Sequence, residues 1–322
     1  MTTPHDSTFL LGIDGGGSKT VALLADAAGR VLGRGEAGPS NHQTVGVAAA
    51  EAALNQAISA AFAGAHVEPR PPCAIGLGLS GVDRPADRAI IHDWAARHVP
   101  GARLVIVNDA EIVLAAGTPA GWGVAVISGT GSIVVGRDRE GRTARAGGWG
   151  YILGDEGSGF AIGQAALRAI MRAADGRGPQ TALTDAILAH WSLPAPSALI
   201  GRLHQTPTPP IQEVARLAAR VESVAAEGDA VARSLVEEAG RELALAVAAV
   251  VRQLDLRGPV PCALAGGVIV RGQLIRELFL DAAGSLGLPL DPVTPVPEPA
   301  QGALLLARRA LDADARRFSR IG

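Results

Sequence analysis

Cysteine and lysine are scarce in this sequence, and their scarcity excludes several classes of protein. The only cysteines, Cys73 and Cys262, lie far apart and are too few for a disulfide framework or a CxxC metal cluster. Lys19 is the only lysine, and the arginines form no basic run. With a formal net charge of -2, the chain lacks the clustered positive charge that nucleic acids require, so we expect no nucleic-acid partner.

Long apolar runs are also absent. The most apolar stretch, residues 242–254, is too short and too interrupted by charge to span a bilayer. The N-terminal residues lack the basic and apolar segments of a secretory signal. We therefore expect a cytoplasmic protein with no membrane partner.

Short apolar runs and glycine-rich turns alternate through the rest of the sequence. Of the 322 residues, 48% are hydrophobic, which is enough to fill the cores of two domains. Residues 9–37 predict three strands, the first two joined by the turn GGGSK, and residues 123–147 repeat this arrangement around the turn GTG. Because helices and strands follow each repeat, the sequence predicts an α/β protein of two related halves.

The segments that follow each repeat predict further elements. After the first repeat we expect helices and strands in alternation at 46–63, 73–79, 86–98 and 104–109. After the second repeat we expect helices near 160–174, 181–191, 211–226 and 229–254, a strand at 262–268 and a closing helix at 300–311.

The turn at residues 14–19, DGGGSK, has the composition of a phosphate-binding loop. Glycines lack a Cβ atom, so their backbone N–H groups can approach and surround a phosphate. One such turn in each half predicts a ligand clasped between two domains. Lys19 would suit a phosphate, although a lysine on a turn is ordinarily a solvated residue. The turn is not a Walker A loop, because Ser18 separates Gly17 from Lys19.

Two other features allow more than one interpretation. Gly76, Gly78 and Gly81 match the dinucleotide-binding pattern GxGxxG, but they would equally fit a tight loop after a strand. Asp109 ends an apolar strand, where carboxylates line the ligand crevice of open α/β folds. Alternatively, Asp109 caps the helix that follows, a position that Asn108 also suits. We favour the crevice.

Several short motifs, taken in order, resemble one known family. They are IDGGGSKT, PSNH, GLSGVD, NDA, ISGTGS, GGWGYILGDEGS and AGG, at residues 13–20, 39–42, 78–83, 108–110, 127–132, 147–158 and 265–267. Their order and spacing closely resemble the N-acetylglucosamine kinase branch of the BadF/BadG/BcrA/BcrD ATPase family over nearly the whole chain. The resemblance implies a duplicated actin-like (ribonuclease H-like) ATPase fold, with two domains around a nucleotide and sugar cleft.

The resemblance also implies roles for individual positions. Asp14 would lie near a magnesium ion, and Asp109 would be the catalytic base. ATP would be bound by Asp14, Gly16, Gly17, Ser18, Lys19, Thr130, Gly131, Ala225, Gly266, Gly267 and Arg271. The sugar would be bound by Asn41, His42, Ser80, Gly81, Asp109, Ser132, Gly148, Trp149, Gly150 and Asp155.

The activity expected from this family is transfer of the γ-phosphate of ATP, with Mg²⁺, to the 6-hydroxyl of N-acetylglucosamine or glucosamine by a homodimer. Ile133 stands where the animal enzymes have an asparagine among the sugar contacts, and isoleucine cannot hydrogen-bond a hydroxyl or acetamide. The exact sugar therefore stays open, with N-acetylmuramic acid or another amino sugar as the alternative. A non-catalytic ATP-binding or sugar-binding module is the contrasting hypothesis, although a pure binder would not need a base at Asp109.

The expected domains are residues 1–118 together with 300–322, and residues 119–299 with helical additions. The dehydratase-activating branch of the family needs cysteines for an iron–sulfur cluster, and Cys73 and Cys262 do not suit one. A sugar-sensing repressor would need a helix-turn-helix ahead of the ATPase core, where few residues precede Gly15. We therefore expect an enzyme.

Overall fold

The computed structural model describes residues 8–82, 84–118, 120–204 and 210–318. The chain divides into two compact units, the first running to residue 119 and resuming at Glu298, the second covering Ala120–Pro297. Asp83, the last residue of the GLSGVD motif, and residue 119, where we predict that the second domain begins, lie outside the described residues. Within the described ranges, no helix is both long enough and apolar enough to cross a membrane.

The first unit is built on a mixed sheet. Its elements are β1 (Phe9–Gly15), β2 (Thr20–Asp26), β3 (Val31–Ala37), α1 (His42–Val45), α2 (Val47–Gly64), β4 (Ala74–Leu79), α3 (Pro85–His98), β5 (Arg103–Asn108), α4 (Asp109–Gly117) and, from the end of the chain, α13 (Ala300–Phe318). The strand order is β3-β2-β1-β4-β5. Strands β1, β2 and β3 form an antiparallel meander, whereas β1, β4 and β5 run parallel. The carboxyl ends of these three parallel strands therefore lie at one edge of the sheet.

Glycines in the strands let the closing helix approach this sheet closely. A Cβ atom on Gly12 of β1 would lie 2.5 Å from the carbonyl oxygen of Ala300, and one on Gly76 of β4 would lie 2.1 Å from that of Ala303. Both distances are far below van der Waals contact, so any side chain at either glycine would displace α13. The apolar residues of β1, β4, α2 and α3 form a separate core on the opposite face.

The second unit repeats the topology of the first. Its elements are β6 (Gly123–Ser128), β7 (Ser132–Arg137), β8 (Thr143–Gly147), α5 (Gly159–Ala174), α6 (Leu183–Trp191), α7 (Ala198–Leu203), α8 (Ile211–Arg216), α9 (Ala218–Ala226), α10 (Ala230–Gln253), β9 (Val260–Ala265), α11 (Gly267–Arg271), α12 (Gln273–Ser285) and β10 (Leu290–Pro295). The strand order is β10-β9-β6-β7-β8. Strands β6 to β8 form the antiparallel meander, and β6, β9 and β10 run parallel. The predicted duplication of an α/β half is confirmed.

The structure differs from the sequence prediction at several places in this unit. Helices α7 and α11 were not predicted, and the strand predicted at 262–268 ends at Ala265. The single helix predicted at 211–226 is wrong, because Leu217 separates α8 from α9. Strand β10 was not predicted, since its prolines at 292 and 295 argue against a strand; it lies at the edge of the sheet, where proline is tolerated. Helix α12 was also not predicted, because the residue before it, Gly272, offers no side-chain cap.

Candidate active site

In the first unit, the residues that follow the parallel strands meet at one edge of the sheet. Asp14 of β1 lies opposite Gly78 of β4, and Leu79 lies opposite Asn108 of β5. The residues immediately after β4 and β5, Ser80 and Asp109, are consequently neighbours, and the Ser80 hydroxyl donates a hydrogen bond to Oδ2 of Asp109. This is the edge where open α/β sheets bind ligands.

Asp109 is the first residue of α4, and the cap of that helix is Asn108. Oδ1 of Asn108 accepts a hydrogen bond from the N–H of Ala110 at 3.0 Å, as an N-cap side chain does. Oδ1 of Asp109 accepts from the same N–H at 2.9 Å, while its Oδ2 accepts from Ser80. Asn108 is therefore the N-cap of α4, although Asp109 shares the N–H of Ala110 with it, and the other oxygen of the Asp109 carboxylate is held by Ser80.

Asp14 is a partly buried carboxyl close to two other carboxylates. Burial, followed by the carboxylates of Asp109 and Glu298, raises its pKa from 3.8 to about 7, and only the Lys19 ammonium opposes this shift. A cation would relieve the repulsion among these groups. Within the described residues, no three side chains are placed to cage a metal ion by themselves.

Glu298 has no counterpart among the predicted site residues. Nε of Arg34 donates to Oε2 of Glu298 at 2.8 Å, and another nitrogen of the same guanidinium donates to Oε2 of Glu36 at 2.8 Å. Nζ of Lys19 lies 3.9 Å from that Glu36 oxygen. A chain of alternating charges thus runs from the glycine turn to Glu298. The only sequence signal for Glu298 was an acidic residue shortly before the closing helix.

The three glycines of the first turn have different structural roles. A Cβ atom on Gly15 would lie 2.3 Å from Oγ of Ser40, so packing requires a glycine there. At Gly16 the nearest atom would be 3.8 Å away, and at Gly17 a Cβ would meet nothing within 4 Å. The N–H of Gly16 donates a hydrogen bond to the carbonyl of Lys19 across the turn at 3.0 Å. Gly16 therefore provides space for a phosphate, while its N–H is already engaged within the turn. The open side of Gly16 and Gly17 is suited to a phosphate.

The predicted sugar contacts of the first unit cluster around the loop before α1. Oδ1 of Asn41 accepts from the N–H of Gln43 at 3.1 Å, and a Cβ atom on Gly81 would lie 2.8 Å from the same Oδ1. The side chain of His42 is 7% exposed, and its Nε2 lies 3.0 Å from Oδ1 of Asp87. This hydrogen bond lowers the pKa of Asp87, a residue that was not among the predicted site residues. His42 is therefore anchored inside the unit rather than presented on its surface.

In the second unit, the turn GTG is held by the loop that contains Asp155. Oδ1 of Asp155 accepts from the N–H of Ser132 at 3.1 Å, and a Cβ on Gly131 would lie 2.9 Å from Oδ2. Burial raises the pKa of Asp155, although the Ser132 N–H opposes the shift. Asp155 also has a left-handed backbone, with φ of 64°, a strained conformation for a residue other than glycine. The N–H of Gly148 donates to the carbonyl of Ser132 at 3.0 Å, so these predicted sugar contacts lie together.

Trp149 and Gly150 lie on the exposed part of this loop. The side chain of Trp149 is 61% exposed, and the guanidinium carbon of Arg145 lies 4.5 Å from the ring centroid. Ile133 packs beneath Gly148, where a Cβ atom would lie 2.6 Å from Cδ1 of the isoleucine.

A cavity of about 600 Å³ opens in the second unit between α9, α11 and the turn after β6. Thr130, Gly267 and Arg271, three of the predicted ATP contacts, line it. Ala225 does not line it, because this residue faces the core of the unit and is 2% exposed. Its neighbour Glu222, which was not predicted, lines the cavity and accepts the N–H of Leu274 at 2.8 Å.

Gly266 and Gly267 have different structural roles, as the glycines of the first turn do: packing requires the first, and the second borders open space. Gly266 has φ of 91°, and a Cβ there would lie 2.3 Å from the carbonyl oxygen of Ser128, so the passage from β9 to α11 requires glycine. At Gly267 a Cβ would meet nothing within 4 Å. The open face of Gly267 borders the cavity, which leaves room for a ligand to approach the backbone.

The dinucleotide pattern at GLGLSG has a packing explanation. Gly76 admits α13, as described above, and a Cβ on Gly78 would lie 2.5 Å from the side chain of Ile112 in α4. Both glycines are buried in the middle of β4 and not in the turn that follows it. They are required by helix packing, which argues against a nicotinamide dinucleotide at this position.

Comparison with known proteins gives one consistent result. Residues 11–307 match the model of the BadF/BadG/BcrA/BcrD ATPase family. The chain is 37% identical to the N-acetylmuramic acid/N-acetylglucosamine kinase of Clostridium acetobutylicum, over 94% of this chain and 99% of that protein. It is 32% identical to the N-acetyl-D-glucosamine kinase of Dictyostelium discoideum, over 93% and 97%.

Solved structures agree with these relatives. A protein of Chromobacterium violaceum, described as a candidate N-acetylglucosamine kinase, superimposes with a TM-score of 0.74 at 36% identity, covering 94% of this chain and 99% of that one. A ROK family glucokinase of Streptomyces griseus, solved with glucose and AMPPNP, gives a TM-score of 0.57 at 20% identity, covering 94% and 99%. The second likeness concerns the fold alone, and it agrees with the predicted actin-like ATPase fold.

Proposed function

The chain belongs to the BadF/BadG/BcrA/BcrD ATPase family, and from this premise we propose that it is a kinase that transfers the γ-phosphate of ATP to the 6-hydroxyl of N-acetylglucosamine or glucosamine. Two relatives, 37% and 32% identical over nearly the whole chain, are named as kinases of N-acetylated amino sugars. The observation that carries the proposal is the Asp109 carboxylate, which Ser80 orients at the carboxyl edge of the sheet, beside Asp14.

In this proposal Asp109 accepts the proton of the attacking hydroxyl. In phosphoryl transfer the protein mainly positions the reactants and neutralises charge, because the reaction requires little covalent chemistry from the protein itself. The Ser80 hydrogen bond fixes one carboxylate oxygen and so sets the direction of the other. Asn41, Gly81, Ser132, Gly148 and Asp155 would hold the sugar through the backbone and side-chain groups described above.

The nucleotide would use the open glycines of both units. Gly16 and Gly17 leave space for phosphate in the first unit, and the cavity bordered by Gly267 has the size of an adenosine site. Asp14 would hold Mg²⁺ directly or through water, which would remove the charge repulsion that raises its pKa. When bound, the metal would neutralise charge on the phosphates. A homodimeric state and a cytoplasmic location belong to the same proposal.

A coupled assay of ADP release tests this function. The parent protein should release ADP with N-acetylglucosamine or glucosamine at least ten times faster than with glucose or without sugar. N-acetylmuramic acid belongs in the panel, because the kinase of Clostridium acetobutylicum is named for it. Absence of sugar-dependent ADP release across the panel would favour the non-catalytic binding module.

Mg-ATP should also raise the melting temperature of the protein, whereas NAD should not. A ligand that binds the native state stabilises it by about 2.7 kcal/mol at a concentration one hundred times its dissociation constant. Thermal denaturation with each nucleotide measures the shift. Stabilisation by NAD and none by Mg-ATP would restore the dinucleotide interpretation of GLGLSG.

Gly267→Val should weaken ATP use without unfolding the protein. The isopropyl group would enter the open face beside the cavity, where a Cβ meets no protein atom. We expect KM for ATP to rise about tenfold, the effect of losing about 1.4 kcal/mol of binding, with KM for sugar unchanged. Gly284→Val is a matched control, because a Cβ there also meets nothing within 4 Å and Gly284 does not line the cavity. Equal effects of the two substitutions would argue against nucleotide binding at Gly267.

A further inference from the structure

The outer face of the β7–β8 hairpin carries a cation and two apolar side chains next to the predicted sugar contacts. Ile133 pairs with Gly147, and Val135 pairs with Arg145, in the antiparallel register. Residues opposite each other in such a pair present their side chains on the same face. Val134, between the two β7 residues, is fully buried on the other face. Ile133 and Arg145 therefore share the outer face, from which Trp149 follows two residues after Gly147.

Arg145 is a cation that has no carboxylate partner within the described residues. Its guanidinium contacts the Trp149 indole at 4.5 Å, and it forms no ion pair with any described side chain. By contrast, Arg142 on the same hairpin donates from Nε to Oδ2 of Asp138 at 2.5 Å. A guanidinium stacked on an aromatic ring keeps its N–H donors at the edges of its plane, where they can bind a carboxylate by two parallel hydrogen bonds.

We propose that Arg145 determines whether this kinase accepts an amino sugar that bears a carboxylate. The inference rests on the proposed function, because it assumes that Gly148 and Trp149 contact the sugar. The substrate chemistry that fits is an N-acetylhexosamine with a lactic acid ether at its 3-oxygen, as in N-acetylmuramic acid. The carboxylate of this ether pairs with Arg145, while its methyl group contacts the apolar side chains of Ile133 and Trp149.

The neutral sugar does not need this contact. N-acetylglucosamine has a hydroxyl where the acid has the ether. Because N-acetylglucosamine carries no charge, it has no group that would pair with a guanidinium. Arg145 therefore adds binding energy for the acidic sugar alone and leaves the neutral sugar to the contacts of Ser132, Gly148 and Asp155. This makes Arg145 a specificity-determining residue rather than a catalytic one.

Steady-state kinetics with both sugars test the proposal on the full-length protein. The parent should phosphorylate N-acetylmuramic acid and N-acetylglucosamine. Arg145→Gln should lower kcat/KM for the acid about 10- to 100-fold, the value of a charge-assisted hydrogen bond, and change kcat/KM for the neutral sugar less than about threefold. Arg145→Lys, which keeps the charge without the planar fork, should fall between the two.

Two controls separate charge from structure. Arg139→Gln removes a guanidinium that is stacked in the same way, 4.2 Å from the ring of Trp122, and should leave the ratio of the two kcat/KM values unchanged. The methyl ester of N-acetylmuramic acid keeps the bulk of the ether without its charge, so the parent and Arg145→Gln should use it equally well.

Three results would overturn the proposal. Arg145→Gln could lower kcat/KM for both sugars equally, which would indicate a structural role. The ester could lose as much as the acid, which would exclude recognition of charge. The parent could phosphorylate N-acetylglucosamine and not the acid, which would refute this inference and leave the proposed function standing, whereas failure with every amino sugar would refute both.

Discussion

Asp109→Asn should lower kcat by about two to four orders of magnitude while the protein remains folded and binds Mg-ATP as the parent does. A sugar hydroxyl is a poor nucleophile at neutral pH, and a carboxylate can accept its proton as the bond to phosphorus forms. Asparagine retains the shape of aspartate and can still accept the Ser80 hydrogen bond, but it cannot take the proton. The measurements are kcat by ADP release and Mg-ATP affinity by titration.

A helix-capping aspartate provides the control for this substitution. Asp229 is the N-cap of α10, and its Oδ1 accepts the N–H of Ala232 at 2.8 Å. Because asparagine caps helices about as well as aspartate, Asp229→Asn should leave kcat within about threefold of the parent. Near-parental kcat in a correctly folded Asp109→Asn protein would show that Asp109 is not the base, and Asp155 would become the next candidate.

Ser80→Ala tests whether the Ser80 hydroxyl positions the Asp109 carboxylate. Loss of the hydroxyl removes the hydrogen bond that orients Oδ2 of Asp109, but it leaves the base in place. A positioning role predicts a smaller loss of kcat than that of Asp109→Asn, and little additional loss when the two substitutions are combined, because residues that act as a unit are not additive.

The parts of the fold that could be predicted are those in which local pattern and tertiary structure agree. The two glycine turns lie between apolar runs of strand length, so both meanders could be predicted from the sequence. Strand β10 was not predicted, because prolines such as Pro292 and Pro295 are tolerated in a strand only at a sheet edge or a bulge, and the sequence does not show which strand offers either. Helix α12 was not predicted because part of its N-terminal capping comes from another helix: Glu222 of α9 accepts the N–H of Leu274.

The candidate site shows the same limit. Asp109 could be found because the end of an apolar strand is a local signal. Glu298 could not, since its importance depends on its influence on Asp14, which is remote in the sequence, and on the Arg34 guanidinium that holds it. The glycine motifs were recognisable, but sequence did not distinguish glycines that packing requires, such as Gly15, from the open Gly17. That distinction depends on which atoms lie beside each Cα.

Asp14→Asn should make the protein more stable without metal and nucleotide and nearly inactive with them. The neutral amide removes a partly buried charge that is repelled by Asp109 and Glu298. The pKa of Asp14 rises in the fold from 3.8 to about 7, so the unfolded chain loses this proton at lower pH than the folded protein does. The penalty on the folded state therefore grows between about pH 4 and pH 7 and is complete above that range.

The gain in melting temperature should accordingly be small at pH 5 and larger at pH 8, about 2–4 °C for each kcal/mol of repulsion removed. Activity should fall by roughly two to three orders of magnitude, because a bound metal contributes several kcal/mol of charge stabilisation, and added Mg²⁺ should no longer stabilise the variant. Asp26→Asn is the matched control: Asp26 also ends a strand of this sheet, but its hydrogen bonds to Arg30 lower its pKa. That substitution should reduce stability at pH 8 and preserve kcat. If Asp14→Asn instead lowered the melting temperature at pH 8, its charge would already be compensated within the protein, and the reason for placing Mg²⁺ beside it would disappear.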